Sequence, residues 1–102
     1  MGNFVKAINA SDLPAGQGKT CEVGGKTIAV FNLNGQFCAI DNTCVHRGGP
    51  LGEGDLTGSV VTCPWHGWQY DVTTGVSPVN PAAKVQKFNC KVEGPDVLVE
   101  VD

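Results

Sequence analysis

The sequence predicts an all-β chain built from small antiparallel sheets, and three observations carry that expectation. Short runs rich in β-branched and aromatic residues recur at close spacing, each bounded by Gly, Pro, Asn or Asp. Two of those boundaries, Gly24-Gly25 and Asn34-Gly35, are dipeptides suited to two-residue hairpins, whose central residues take positive φ. No stretch sustains a helical period.

In chain order, residues 4–8 alternate and read as a first strand. Residues 9–16 form a loop with one helical turn at 11–13, because Pro14 stops anything longer. Strands at 20–23 and 26–33 flank Gly24-Gly25, and Asn34-Gly35 returns the chain through 36–40. Asp41 and Asn42 deliver it into a loop rich in glycine. Strands at 58–62 and 68–72 flank a second such loop, followed by a Pro-bearing segment at 76–83 that holds Pro78 and Pro81. Residues 85–92 and 97–101 make a last pair of strands.

The 102 residues fit a single domain, 1–102, without linker or repeat. With 41% hydrophobic and 17% charged residues, the composition is globular rather than disordered. A net charge of −3 without a Lys/Arg cluster argues against a nucleic-acid partner. The N-terminal residues do not read as a signal peptide, and no apolar run approaches membrane-spanning length. A soluble cytoplasmic protein with no membrane partner is expected. Five cysteines, an odd number, suit a reducing compartment better than a disulfide framework.

The chemistry concentrates between residues 44 and 70. Both histidines of the chain lie there, each beside a cysteine: Cys44-x-His46, then sixteen residues, then Cys63-x-x-His66. Two thiolates and two imidazoles would satisfy a tetrahedral zinc ion. Zinc sites usually pair Cys with Cys and His with His, however, whereas here each loop supplies one of each. Such loops suit a binuclear cluster in which both cysteines hold one iron and both histidines the other.

This pattern resembles the Rieske [2Fe–2S] family, whose motif also matches at Gly48, Pro64, Gly67 and Tyr70. The resemblance covers essentially the whole chain. It implies the Rieske fold, with a cluster-binding subdomain of about 42–80 inserted into a β base. It also implies one [2Fe–2S] cluster held by Cys44, His46, Cys63 and His66.

Other residues take implied roles in the same way. Tyr70 would bring its hydroxyl to a ligand-cysteine sulfur, or be a buried strand tyrosine with another partner. Amides of Gly48, Gly49 and Gly67 and the turn at Pro50 would approach the cluster, or simply shape the loops. Trp65 would shield the cluster edge; Trp68 divides between core and cluster surroundings. Pro81 or Pro78 would cover the cluster from a third side. Arg47, the only arginine, either docks a partner or is a solvated loop charge. Cys21, Cys38 and Cys90 read as small buried hydrophobes, with a redox thiol as the alternative.

Two departures narrow the branch. The quinol-oxidising Rieske proteins carry a disulfide between the two ligand loops, at positions that here are Gly49 and Trp65. They also carry a serine where this chain has Trp68. The resemblance is therefore to the soluble Rieske ferredoxins, which pass one electron from a flavin-dependent reductase to a terminal oxygenase. The alternative is a small subunit or accessory domain of an assimilatory nitrite reductase. A terminal oxygenase itself is excluded, since no histidine remains for a mononuclear iron. With two ferric ions, two sulfides, two thiolates and two neutral imidazoles, the oxidised centre would be neutral. Adding an electron to it is then easier than adding one to an all-cysteine cluster.

Overall fold

The computed structural model describes residues 4–44, 48–65 and 67–100. Among the described residues, ten strands form three antiparallel sheets. β1 (Phe4–Asn9), β10 (Asp96–Glu100) and β9 (Cys90–Glu93) make the first, in the order β1-β10-β9. β2 (Gly18–Val23), β3 (Lys26–Leu33), β4 (Gln36–Asp41) and β8 (Lys87–Phe88) make the second. β5 (Asp55–Thr57), β6 (Val60–Thr62) and β7 (Gln69–Asp71) make the third. Among the described residues, no helix is long and apolar enough to cross a membrane.

The two hairpins of the second sheet form where the dipeptides place them. Gly24 and Gly25 take φ of 58° and 83°, and Asn34 and Gly35 take 60° and 104°. The Gly35 N–H donates to Asn32 Oδ1 at 2.7 Å, which fixes the second turn from inside the hairpin.

β3 explains how the site is carried. Its residues 28–32 are buried without alternation, because both faces of this strand are covered. Ile28 and Val30 enter one core with Ile8, Val97 and Val99 of the first sheet. Ala29 and Phe31 enter a second core with Leu51, Val61, Tyr70, Cys44 and Cys63. The middle sheet therefore packs on the terminal strands with one face and holds up the two Cys-bearing loops with the other. Gly18 gives the Phe31 ring its place: a β-carbon there would collide with the ring's Cδ1 and Cε1.

Three details depart from the sequence reading. The expected strand at 85–92 is two strands in two sheets: β8 pairs with β4 and β9 with β10. The chain changes sheets at Asn89, whose carbonyl accepts from the Glu100 N–H at 2.8 Å and whose side chain donates to Glu100 Oε1 at 2.8 Å. β5 was not expected, since its three residues expose two side chains and pattern as loop. A 3-10 turn at Leu51–Glu53 was also not expected, whereas the one at Ala10–Asp12 falls within a residue of the expected helical turn.

Candidate metal centre

The two Cys loops are built alike. In the first, the Cys44 N–H donates to the Gly49 carbonyl at 3.0 Å, and the Gly48 N–H donates to the Cys44 carbonyl at 2.8 Å. In the second, the Cys63 N–H donates to the Trp68 carbonyl at 2.6 Å, and the Gly67 N–H donates to the Cys63 carbonyl at 3.1 Å. The spacing is the same, five residues for one bond and four for the other. Gly48 and Gly67 close these turns with φ of 73° and 76°, in the left-handed region that favours glycine. The Thr43–Pro50 bridge pins the mouth of the first loop. β6 and β7, paired from Thr62 and Gln69 outward, hold the second.

The loops meet at their cysteines. Cys44 and Cys63 are each 2% exposed and share the second core. Their thiols lie within hydrogen-bonding reach of each other and form no disulfide. The Tyr70 hydroxyl, fully buried on β7, lies 3.3 Å from Cys44 Sγ. The Trp65 N–H donates to Cys63 Sγ at 3.5 Å. Burial pushes the Cys63 thiol above its ordinary range; the Trp65 amide opposes this, and the neighbouring Cys44 thiol adds to it. A thiophilic metal group settling here would have to displace that proton.

Gly49 completes the seam between the loops. A β-carbon at this position would stand 2.6 Å from Cys63 Sγ and 3.1 Å from the Trp65 β-carbon. Positions 49 and 65 are thus neighbours across the loops, close to the β-carbon separation that a disulfide requires. By the resemblance, those are the positions that carry the disulfide in the quinol-oxidising Rieske proteins. Trp65 itself is 51% exposed: its backbone serves the sulfur while much of its side chain faces solvent. Trp68 is half-buried and lines a cavity of about 260 Å³ with Gly67, Gln69, Ser77, Val79 and Asn80. The Pro-bearing segment reaches this cavity through Ser77, Val79 and Asn80, while Pro78 and Pro81 are exposed. Its turn is held by Ser77 Oγ, which accepts from the N–H groups of Val79 and Asn80 at 3.3 and 3.2 Å.

His46, Arg47 and His66 lie outside the described residues, so the structure brings together two of the four expected ligands. Cys21 and Cys38 are buried in the two cores, and Cys90 is half-buried against the first. All three are thiols with raised pKa, chiefly through burial. Asn42 was not singled out in the sequence. It proves to be buried at the base of the first loop, bonded to residues 10 and 22 positions away.

The donor set fits a thiolate-bound metal group. Two buried sulfurs converge, an amide N–H points at one and a hydroxyl lies beside the other, and a glycine leaves the room a side chain would take. Comparison with known proteins identifies the group. The family profile of the Rieske [2Fe-2S] domain matches residues 3–89.

The chain belongs to the Rieske [2Fe–2S] family.

It is 31% identical over 101 residues to the ferredoxin component of the naphthalene 1,2-dioxygenase/salicylate 5-hydroxylase systems of a Ralstonia species, covering 98% of this chain and 97% of that protein. It is 37% identical over 100 residues to the ferredoxin component of biphenyl 2,3-dioxygenase from Rhodococcus jostii strain RHA1, covering 97% and 94%. Among solved structures, it superposes with a TM-score of 0.85 and 33% identity on a chain of the complex between reduced oxygenase and oxidised ferredoxin in carbazole 1,9a-dioxygenase, covering 95% of this chain and 92% of that one. A putative nitrite reductase small subunit shares the fold with a TM-score of 0.80 at 18% identity, which makes the nitrite-reductase alternative the weaker one. This Rieske protein carries a single [2Fe–2S] cluster and is an electron carrier, not a catalytic subunit.

Proposed function

We propose that the chain takes single electrons from a flavin-dependent reductase and delivers them to the terminal oxygenase of a multicomponent, dioxygenase-type system. The observation that carries this reading is the pair of like-built loops that bury Cys44 and Cys63 against each other under Tyr70. Relatives that match the chain along nearly its full length and are ferredoxin components support it.

The proposed ligands are Cys44 and Cys63, joined by His46 and His66 from the same two loops. Each histidine stands close to one of the two cysteines in sequence, as Cys44-x-His46 and Cys63-x-x-His66, which makes the two histidines their natural partners. When bound, the cluster supplies one-electron redox chemistry at a potential above that of all-cysteine clusters. The chain's own residues set the surroundings. Tyr70 and the Trp65 amide place partial positive charge at the sulfurs and so favour added negative charge there. The second core excludes water from the Cys44 and Cys63 side. The ligand-bearing unit is assigned to about 42–80 within a single domain of 1–102, and the working compartment to the cytoplasm.

The test is a single-turnover experiment. Chemically reduced protein is mixed with substrate-loaded oxygenase from a dioxygenase system, and its reoxidation and the hydroxylated product are followed together. Reoxidation with product supports the reading; a reduced carrier that stays reduced beside competent oxygenase, yet feeds a sirohaem enzyme, moves it to the nitrite-reductase class.

A further inference from the structure

We infer that Asn42 is the positioning residue of the first ligand loop, acting through its side-chain carbonyl. Residues 43–50 leave β4 and must come back at a defined place for Cys44 to face Cys63. Asn42 sits where they leave and binds where they return. Its backbone carbonyl accepts from the Leu51 N–H at 2.8 Å, and its Oδ1 accepts from the Gly52 N–H at 2.7 Å. The same Oδ1 accepts from Thr20 Oγ1 at 3.1 Å, and the Asn42 N–H donates to the Thr27 carbonyl at 3.2 Å. One residue therefore ties the loop's exit to its start and both to β2 and β3.

The surroundings make that oxygen hard to replace. Asn42 is 7% exposed, and Leu51 beside its partner is fully buried. Gly52 lies flat on β2, where a β-carbon would stand 2.6 Å from both Thr20 N and Thr20 Oγ1. Without Oδ1, the Gly52 N–H and the Thr20 hydroxyl would lose a shared acceptor in a place with little access to water. A buried donor without its acceptor carries the full cost of its desolvation. The cheapest relief is for the 3-10 turn at Leu51–Glu53 to lift from β2, taking the end of the loop with it.

The experiment uses the cluster-loaded protein and three variants. Asn42→Leu keeps the branched shape and removes the acceptor, Asn42→Asp keeps an oxygen that can accept both bonds, and Thr20→Val removes one donor alone. The first readout is the rate of cluster release to an iron chelator well below the melting temperature. The second is hydrogen–deuterium exchange of the peptide spanning 43–52. Asn42→Leu is expected to release the cluster roughly tenfold faster, the equivalent of one buried hydrogen bond. Faster exchange should be confined to 43–52, with β2 and β3 unchanged. Asn42→Asp should restore most of the release rate and the exchange protection, and Thr20→Val should fall between wild type and Asn42→Leu. A wild-type release rate in Asn42→Leu, or an Asn42→Asp protein as labile as Asn42→Leu, overturns the assignment. Should Asn42→Leu fail to fold, Thr20→Val decides, and an unchanged release rate there overturns it equally. The inference rests on the cluster reading. A wild-type protein that binds no cluster would remove that reading itself, a result distinct from a cluster indifferent to residue 42.

Discussion

Gly49 lies so close to Cys63 Sγ that a β-carbon on it would stand 2.6 Å from the sulfur. The Cys44–Gly49 hydrogen bond holds Gly49 in place, so the first loop has little freedom to withdraw. Gly49→Ala is therefore expected to lower cluster content several-fold and to cost about 1–3 kcal/mol of stability, the usual range for overpacking. Iron content per chain and thermal melting check it; wild-type values of both would mean that the loops separate more easily than their hydrogen bonds suggest.

Tyr70→Phe removes the hydroxyl 3.3 Å from Cys44 Sγ and leaves the ring in its core. A hydrogen bond to a ligand sulfur favours the more negative, reduced state. One bond worth about 1 kcal/mol corresponds to about 40 mV for a one-electron couple, so the potential should fall by about that much. Protein-film voltammetry measures the difference, and an unchanged potential would assign the Tyr70 hydroxyl to packing alone.

Cys90 gives the fold a dependence on alkaline pH. Burial, followed by the neighbouring Cys38, pushes its thiol from an ordinary 9.0 up to about 12; nearby Lys87 opposes and Cys21 adds to the rise. The folded state then holds a proton that the unfolded chain gives up. Its stabilising contribution is complete below the unfolded pKa near 9.0 and is lost as pH climbs toward about 12. Melting temperatures of wild type and Cys90→Ala, compared across that window, should differ in slope, with the variant flatter. Parallel curves would remove the effect. Because Cys90 lies on β9 outside the two loops, Cys90→Ser should keep the cluster, as should Cys21→Ser and Cys38→Ser.

Arg47 follows His46 directly and is the only arginine of the chain. If it faces the acceptor, Arg47→Glu should slow reoxidation by the oxygenase at low ionic strength and much less at high, with spectrum and potential unchanged. Stopped-flow at two salt concentrations separates the cases. An unaltered low-salt rate takes Arg47 off the docking face, and an altered spectrum makes it a support of the cluster instead.

The legible parts of this molecule were those with local causes. Gly24-Gly25 and Asn34-Gly35 specify hairpins through backbone conformations few other residues adopt, and both turns stand where the dipeptides are. The two Cys-bearing loops stand out in the sequence because Cys and His at fixed spacing have few other uses, and the fold brings Cys44 and Cys63 into one core. What stayed hidden depends on residues distant in sequence. The run at 85–92 gives no sign that its halves join different sheets, since that is decided by β4 on one side and β10 on the other. Asn42 looks like an ordinary strand-end residue; its importance comes from Thr20 and Gly52, which only the folded chain brings to it. The run at 26–33 reads as a strand, but neither its unbroken burial nor the service of its two faces to two cores follows from it.

The proposed [2Fe–2S] cluster stands on Cys44, Cys63, His46 and His66. Pulsed electron paramagnetic resonance of the chemically reduced protein tests it most directly. The expected signal integrates to about one spin per chain, shows hyperfine coupling to two imidazole nitrogens, and is absent from His46→Ala and His66→Ala. A colourless, spectroscopically silent protein, or a cluster signal without nitrogen coupling, would contradict it.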